Sequence, residues 1–555
     1  MVDFYYRGPD RDTAIDRLMQ AQLLAADTES VSLNDFSCVG IGVYISDEEG
    51  FYFPAFPEPS PYLSLITGIL GDPERTKIWH NGANFDLLVL DKLYKDEGLT
   101  PPDDTDIEDT SIMAQVYGLP ASLQRLGEEW LGVTGLFSIQ DLFRLHGASN
   151  MLGVPEEHTA EKCLNDCNTT WKLFHYLNSR LSQEQRDCYE VDRELISILR
   201  LVEKRGLRLR PNIIEETYER LKAEATSIFL ECQSEGFNPG SPSQVGFVLA
   251  TRGNVLPLTK SKKALMSGEE ILEELDDPLA GTILKYRHAT KLLSSYIEPW
   301  RGKSRAYTHF RLNLATGRLA SGRYNAWDTV NRNLQNVPPD LREIFGPDNK
   351  IWSWADHGQI ELRVLAYVSQ DRVMMEEYAK ENPDLHSITA RAVGLDRAGG
   401  KTFNFAMVFG ASDRHLSRTL RVPIEQVRVF KSNWKQVYTG ANTFMNRQMY
   451  NHGDYVETAF GRRCRLPEPQ EDADVNPRRF ESHVQKCAIN YPIQGTAADI
   501  VKRGMRMLHR QGVDLRLQVH DEYLVDGPWE PGPELAHIHP ELYTPFELKQ
   551  GVVWS

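Results

Sequence analysis

No stretch of this 555-residue chain is apolar over the roughly 20 residues that a membrane-crossing helix needs. The N-terminus, MVDFYYRGPDRD, has neither the basic start and apolar core of a secretory signal nor the acid-poor character of a transit peptide. The seven cysteines are odd in number and scattered, unlike a disulfide framework. These absences point to the cytoplasm. Cys163 and Cys167 lie one helical turn apart, but no second Cys/His pair answers them, so core packing rather than zinc binding is expected. There is no internal repeat, no long low-complexity tract and no surplus of positive charge: Lys and Arg number 62 against 78 Asp and Glu, a net charge of −16. Net charge speaks to solubility and steering, whereas phosphate binding depends on local patches. Such patches exist at Arg301, Lys303 and Arg305, at Arg311, Arg318 and Arg323, and at Arg462, Arg463 and Arg465.

At roughly 150 residues per domain, the length predicts three to four units. The first stretch alternates apolar strand patterns (Leu23 to Thr28, Val39 to Ile45) with helical periodicity (Asn84 to Leu93, Asp109 to Val116, Ala160 to Leu181), the order of an α/β domain. From about Tyr189 to Trp300 the pattern is almost wholly helical, broken by the turn-forming Phe237 to Gln244. Strands and helices mix again from about Ala306.

Two aspartates end apolar strand patterns in the second half: Asp356 after Ile351 to Ala355, and Asp521 after Leu515 to His520. Carboxylates at strand ends can face a cleft and hold metal ions for phosphoryl transfer, although each alone also fits a turn or cap. Between them, the spacing of four puts Arg397, Lys401, Phe405 and Phe409 on one helical face, two cations followed by two aromatics. Such a stripe can grip phosphates at one end and stack a base at the other. Taken alone, it equally fits a surface helix with two core phenylalanines.

In the first half, Asp27 and Glu29 fall on the same side of a strand, Asp86 ends His80-Asn-Gly-Ala-Asn-Phe, and Asp166 lies on the later helix. Four acids from three elements can bind two metals that activate water.

The strings DHGQIELR, RAGGKTFNFAMVFG and QVHDE, in that order, resemble the three polymerase motifs of the family A DNA polymerases, the bacterial DNA polymerase I group. TGRL, RNLQN, DLH, VETAFGRR and NYPIQGTAADI agree with it, so the resemblance runs from about Tyr189 to the C-terminus. The DTE, NGANFD and helical Asp ahead of it resemble the DEDD 3′–5′ proofreading exonucleases. The resemblance implies an α/β plus α architecture. An RNase H-like exonuclease domain (1–185) would precede a right-hand polymerase with thumb (186–304), palm (305–367 and 490–555) and fingers (368–489).

By the same resemblance, Asp356 and Asp521 would ligate metal with the carbonyl of His357, and Glu522 would join the catalytic group. Arg397, Lys401 and His386 would contact the triphosphate, Lys401 also as general acid. Phe405, Phe409 and Gln359 would complete the nucleotide site, with Glu361 excluding a ribose 2′-OH. Arg318, Gln335, Asn336, Lys486, Asn490, Gln494 and His520 would follow the duplex without reading its sequence. Lys260, Lys262, Lys263, Arg287, Lys291 and Ser295 would serve the thumb in the same way. Asp27, Glu29, Asp86 and Asp166 would ligate metal in the nuclease. Two Mg²⁺ per active site are implied, with Mn²⁺ as an alternative.

The expected partners are primer–template DNA and dNTPs, with a replisome helicase or single-strand-binding protein as candidates. A monomer is expected, without a thioredoxin-type processivity factor, for which the thumb has no room. The chain begins directly at the exonuclease, the layout of phage replicative enzymes.

Several positions depart from the family pattern. Phe409 replaces a Tyr and Lys486 an Arg, the latter losing bidentate hydrogen bonding. Prolines at 528, 531, 533 and 540 would shorten the usual helix before the last strand, and His537 and His539 in that stretch are expected to face solvent. In the nuclease, the Tyr or His that orients the attacking water is missing, and Lys162 stands one turn from Asp166, where the two can pair. Metal binding and 3′–5′ exonuclease activity are still expected, with the hydrolysis rate left open between an ordinary and a weakened nuclease. Glu361 and the TAADI segment favour DNA over RNA synthesis, and the intact Asp356, Asp521, Lys401 and Arg397 argue against a decayed, purely DNA-binding palm.

Overall fold

The computed structural model describes residues 3–33, 35–101, 106–259, 264–322, 333–469 and 476–554. Lys260, Lys262, Lys263, Arg323 and Arg332 lie outside the described residues.

The first unit is built on a six-stranded sheet ordered Tyr5–Arg7, Gly50–Pro54, Asp35–Tyr44, Leu23–Ser32, Thr76–Trp79, Ile107–Asp109. Leu23–Ser32 pairs antiparallel with Asp35–Tyr44 and parallel with Thr76–Trp79. The 23-residue helix Glu156–Asn178 crosses this sheet, burying Ala160, Cys163, Leu164, Cys167, Trp171 and Phe174 at helical spacing. A close approach is required: a Cβ on Gly42 would lie 2.7 Å from the Cys163 sulfur and 2.9 Å from that of Cys167. Small side chains facing a glycine thus seat the helix low on the sheet, bringing Lys162 and Asp166 down to the carboxylates of the central strand.

Long helices follow, Gln183–Arg205 and Pro211–Ser234, then Pro242–Thr251 and Pro278–Leu292. The last three share a separate small core that includes Ile228, Phe237, Val245, Leu249 and Ile283. Arg287 donates to the carbonyl of Ser267 inside this arm.

The second sheet is antiparallel and ordered Leu515–Val519, Glu522–Asp526, Trp352–His357, Phe546–Gly551. It carries Asp356 in register with Glu522. The helix Pro477–Arg510 passes behind it, and a Cβ on Gly495 would come within 2.6 Å of Thr458 and 3.1 Å of the Cys464 sulfur. Helices Leu385–Val393, Arg397–Val408, Ile424–Val437 and Thr439–Tyr450 form a group alongside.

Between Asp526 and Phe546 the only described helical turn is Pro533–Ala536, as the prolines predict. His539 corrects the expectation of solvent exposure: it is buried, its ring 4.9 Å from Tyr367 and 5.0 Å from Phe460. Proline-rich composition marks a loop, but not which aromatic surfaces will cover it. Among the described residues no helix is long and apolar enough to cross a membrane.

Candidate active site

Leu515–Val519 and Glu522–Asp526 are joined by a two-residue turn, His520-Asp521. His520 has φ 55°, the left-handed conformation for which glycine is usual, so the sheet holds a strained turn that presents Asp521. On the neighbouring strand Asp356 is exposed at the same end, and the two carboxyls hydrogen-bond to each other. Burial, followed by repulsion from Asp356 and Glu361, pushes the Asp521 carboxyl up to about 8. Two carboxyls that cannot both ionise without a nearby cation form a donor set suited to divalent metal.

The His357 ring does not reach this cleft. It is buried, with Nδ1 2.9 Å from the Thr544 carbonyl and Nε2 3.3 Å from the Tyr523 hydroxyl, and burial lowers its pKa to about 4. Its backbone N–H donates to the Asp521 carbonyl at 3.2 Å.

A cavity of about 350 Å³ opens beside Asp521, lined among others by Arg318, Gln335, Glu361, Phe405, Phe409 and His520. Phe405 and Phe409 stack at 6.3 Å with their planes 13° apart. They sit on a helix started by Asp396, whose side chain accepts from the Gly399 N–H at 2.7 Å. Arg318 pairs with Glu361 across the mouth. Gln335 is engaged within the fold, accepting from the Ser321 N–H at 2.9 Å and donating to Gln518 at 2.9 Å.

Lys401 is exposed on the same helix, and Arg397 pairs with Asp384 at 3.0 Å. His386 is 2% exposed, its Nδ1 3.2 Å from the Asn404 amide nitrogen and its ring against Phe405, so here it is covered rather than turned to the cavity. Gln359 accepts from the Tyr378 hydroxyl at 3.1 Å. Asn490 is buried and donates to the Lys486 carbonyl at 2.9 Å, while Lys486 and Asn336 are exposed and Gln494 is half-buried.

Trp554 and Arg342 were not singled out by the sequence. The Trp554 indole donates to Glu522 at 2.7 Å, and the Arg342 guanidinium lies 4.2 Å over the same ring. No local signal marks this Trp, because its partner is 32 positions away on another strand. Trp554→Phe keeps most of the packing but removes the N–H, so it is expected to loosen Glu522 and to weaken Mn²⁺ binding at this end of the sheet roughly 10-fold, as read by calorimetric titration.

In the first unit, Asp27 and Glu29 project from one strand, and a buried Asp86 accepts from both the N–H and the hydroxyl of Thr28 at 2.8 Å. Burial raises the Asp86 carboxyl to about 7. Lys162 pairs with Asp166, as the helical spacing predicts, at 2.7 Å; it also pairs with Glu29 at 2.7 Å. Burial opposes the Lys162 charge, but Asp166, Glu29 and Asp27 outweigh it and hold the ammonium protonated well above its ordinary range.

The family model described as DNA polymerase family A matches residues 210–543, and one described as 3′-5′ exonuclease matches residues 10–182. DNA polymerase I of Chloroflexus aurantiacus is 31% identical over 98% of this chain and 62% of its own length. That of Streptococcus pneumoniae is 31% identical over 95% of this chain and 66% of its own. The DNA polymerase I of Geobacillus stearothermophilus is 31% identical over 72% of this chain and 48% of its own length. This chain thus spans about half to two thirds of the length of these relatives. In fold, it resembles the solved POL domain of Pol1 from M. smegmatis in complex with DNA primer-template and dNTP. The TM-score is 0.70 at 20% identity, and 99% of each chain is covered.

Proposed function

As the chain belongs to the family A DNA polymerases, we propose that it extends a DNA primer on a DNA template by two-metal phosphoryl transfer, and that its 3′–5′ exonuclease is weakened by Lys162. The observation that carries the reading is the Asp356–Asp521 pair at the end of one sheet, beside a cavity walled by two stacked phenylalanines and Glu361. Divalent metal, expected as Mg²⁺ or Mn²⁺ on Asp356, Asp521 and the His357 carbonyl, supplies a lowered pKa at the primer 3′-OH and charge neutralisation on the triphosphate.

The chain's own residues do the rest. Phe405 and Phe409 offer a flat face to the incoming base. Lys401 and Arg397 neutralise the phosphates, with Lys401 giving a proton to the departing pyrophosphate. Glu361, held by Arg318, fills the space a ribose 2′-OH would need. Exposed Lys486, Asn336 and His520, with half-buried Arg318 and Gln494, line the path of the duplex by contacts that do not depend on sequence. Residues 186–304 act as thumb, 305–367 and 490–555 as palm, and 368–489 as fingers, with 1–185 as the nuclease. The solved M. smegmatis domain of the same fold holds DNA primer-template and dNTP, which supports the same ligands here.

The test is a labelled primer–template incubated with Mg²⁺ and all four dNTPs, or none. Extension only with dNTPs supports the reading; no extension under any divalent metal rejects it. Glu361→Ala is expected to lower the preference for deoxy- over ribonucleotides by on the order of 10²-fold. Single-nucleotide insertion with matched dNTP and rNTP measures this, and unchanged discrimination removes Glu361 from sugar selection.

A further inference from the structure

The nuclease carboxylates do not fit two divalent ions. The Lys162 nitrogen lies 2.7 Å from Glu29 and 2.7 Å from Asp166, in the space a metal bridging those two carboxylates would need. A divalent ion there, at about 2.0–2.2 Å from each oxygen, would meet the ammonium directly. Lys162 is also poorly placed to leave: its side chain is 11% exposed, and it sits on a helix seated against Gly42 through Cys163 and Cys167. The other side of the site is different. Asp27 has a buried carboxylate oxygen without a hydrogen-bond partner, and the donor atoms of Asp27, Glu29 and Cys163 lie within 4.8 Å of one another.

We infer that Lys162 is a built-in replacement for one of the two nuclease cations, so that this site takes at most one divalent ion, on the Asp27 side. This deepens the weakened-exonuclease reading above and rests on it. The charges agree with it. Asp27, Glu29, Asp86 and Asp166 bring four carboxylates to the site, and Lys162 supplies one fixed positive charge at the contact between Glu29 and Asp166. The nuclease unit therefore holds its carboxylate cluster together with no metal at that position, and its folding does not depend on divalent ion.

The experiment uses the full chain with the polymerase pair removed (Asp356→Ala/Asp521→Ala), so that only the nuclease carboxylates report. Calorimetric titration with Mn²⁺ is expected to count no more than one ion in this parent, and its melting temperature should be the same in EDTA as in Mn²⁺ to within about 1 °C. Adding Lys162→Met, which keeps the length and removes the charge, is expected to raise the count by one. The Met variant should melt lower than the parent in EDTA and recover with Mn²⁺. Lys162→Arg, which keeps a cation, should behave as the parent.

A parent that binds two Mn²⁺ overturns the inference. The parent's own stoichiometry decides this even if the Met variant fails to fold. Degradation of a labelled single strand by the wild-type chain separates the two readings. A nuclease that is silent yet binds two Mn²⁺ sinks the cation replacement and leaves the weakened nuclease standing. Rapid degradation by the wild type overturns both.

Discussion

Asp356→Ala is expected to slow primer extension by at least about 10³-fold, equivalent to about 4 kcal/mol of transition-state stabilisation, with little change in the binding of primer–template. The carboxyl lies exposed at the strand end and shares a hydrogen bond with Asp521, whose own charge it opposes. Removing it takes away half of a charged pair that is expensive to ionise, so the fold should be undisturbed or slightly more stable. The loss is therefore assigned to chemistry: Asp521 alone cannot bridge two cations. Single-turnover extension of a saturating primer–template measures the rate, and a melting curve beside it checks the fold. A residual rate within about 10-fold of wild type would take Asp356 out of the reaction.

Asp192→Asn is expected to destabilise the polymerase half by about 3–5 kcal/mol. Asp192 receives Arg462 at 2.8 Å and Lys502 at 2.9 Å, and Arg462 also reaches Asp499 at 2.7 Å. All four are buried, and they tie the helix Gln183–Arg205 to the helix Pro477–Arg510 and to the segment after strand Tyr455–Glu457. The group is neutral only as a whole. The asparagine leaves Lys502 without its carboxylate and Arg462 with one instead of two, and the cost of uncompensated buried charge exceeds that of a lost hydrogen bond. Removing Lys502 as well, in Asp192→Leu/Lys502→Met, leaves Arg462 paired with Asp499 and should recover much of the loss. Guanidinium unfolding followed by tryptophan fluorescence reads both, as shifts in midpoint with an unchanged slope.

The same network has a defined pH dependence. Burial alone would raise the Asp192 carboxyl, but Arg462 and Lys502 outweigh it and pull it below its ordinary range. Because the folded pKa is depressed, the stabilisation is fully present above the unfolded value of about 3.9 and is lost as pH falls through the folded value. The stability gap between wild type and Asp192→Asn should be constant from about pH 5 to pH 8 and shrink below about pH 4.

The residues differ in how legible they were. Asp356 and Asp521 could be found because each ends an apolar strand pattern. Lys401, Phe405 and Phe409 could be grouped because a helix repeats its face every three to four residues. The Lys162–Asp166 pair was readable for the same reason, but the Lys162–Glu29 pair was not, since it spans 133 positions and depends on how low the helix sits on the sheet. Glu522 stood out from its motif, whereas the Trp554 and Arg342 that hold it did not. The Pro-rich stretch was correctly read as irregular, yet its His539 is packed between Tyr367 and Phe460.

The sequence by itself determined the family and the order of its exonuclease and polymerase matches, and it singled out candidate carboxylates, because motif strings and helical or strand periods are local properties. Only the tertiary structure decided that Asp356 and Asp521 face each other at one sheet end and that Lys162 reaches Glu29 in the other cluster. It alone decided, too, that Asp192, Arg462, Asp499 and Lys502 meet in one buried knot. Charge interactions act through space and depend on burial, and neither the distance between elements nor the solvent they exclude is written in the spacing along a chain.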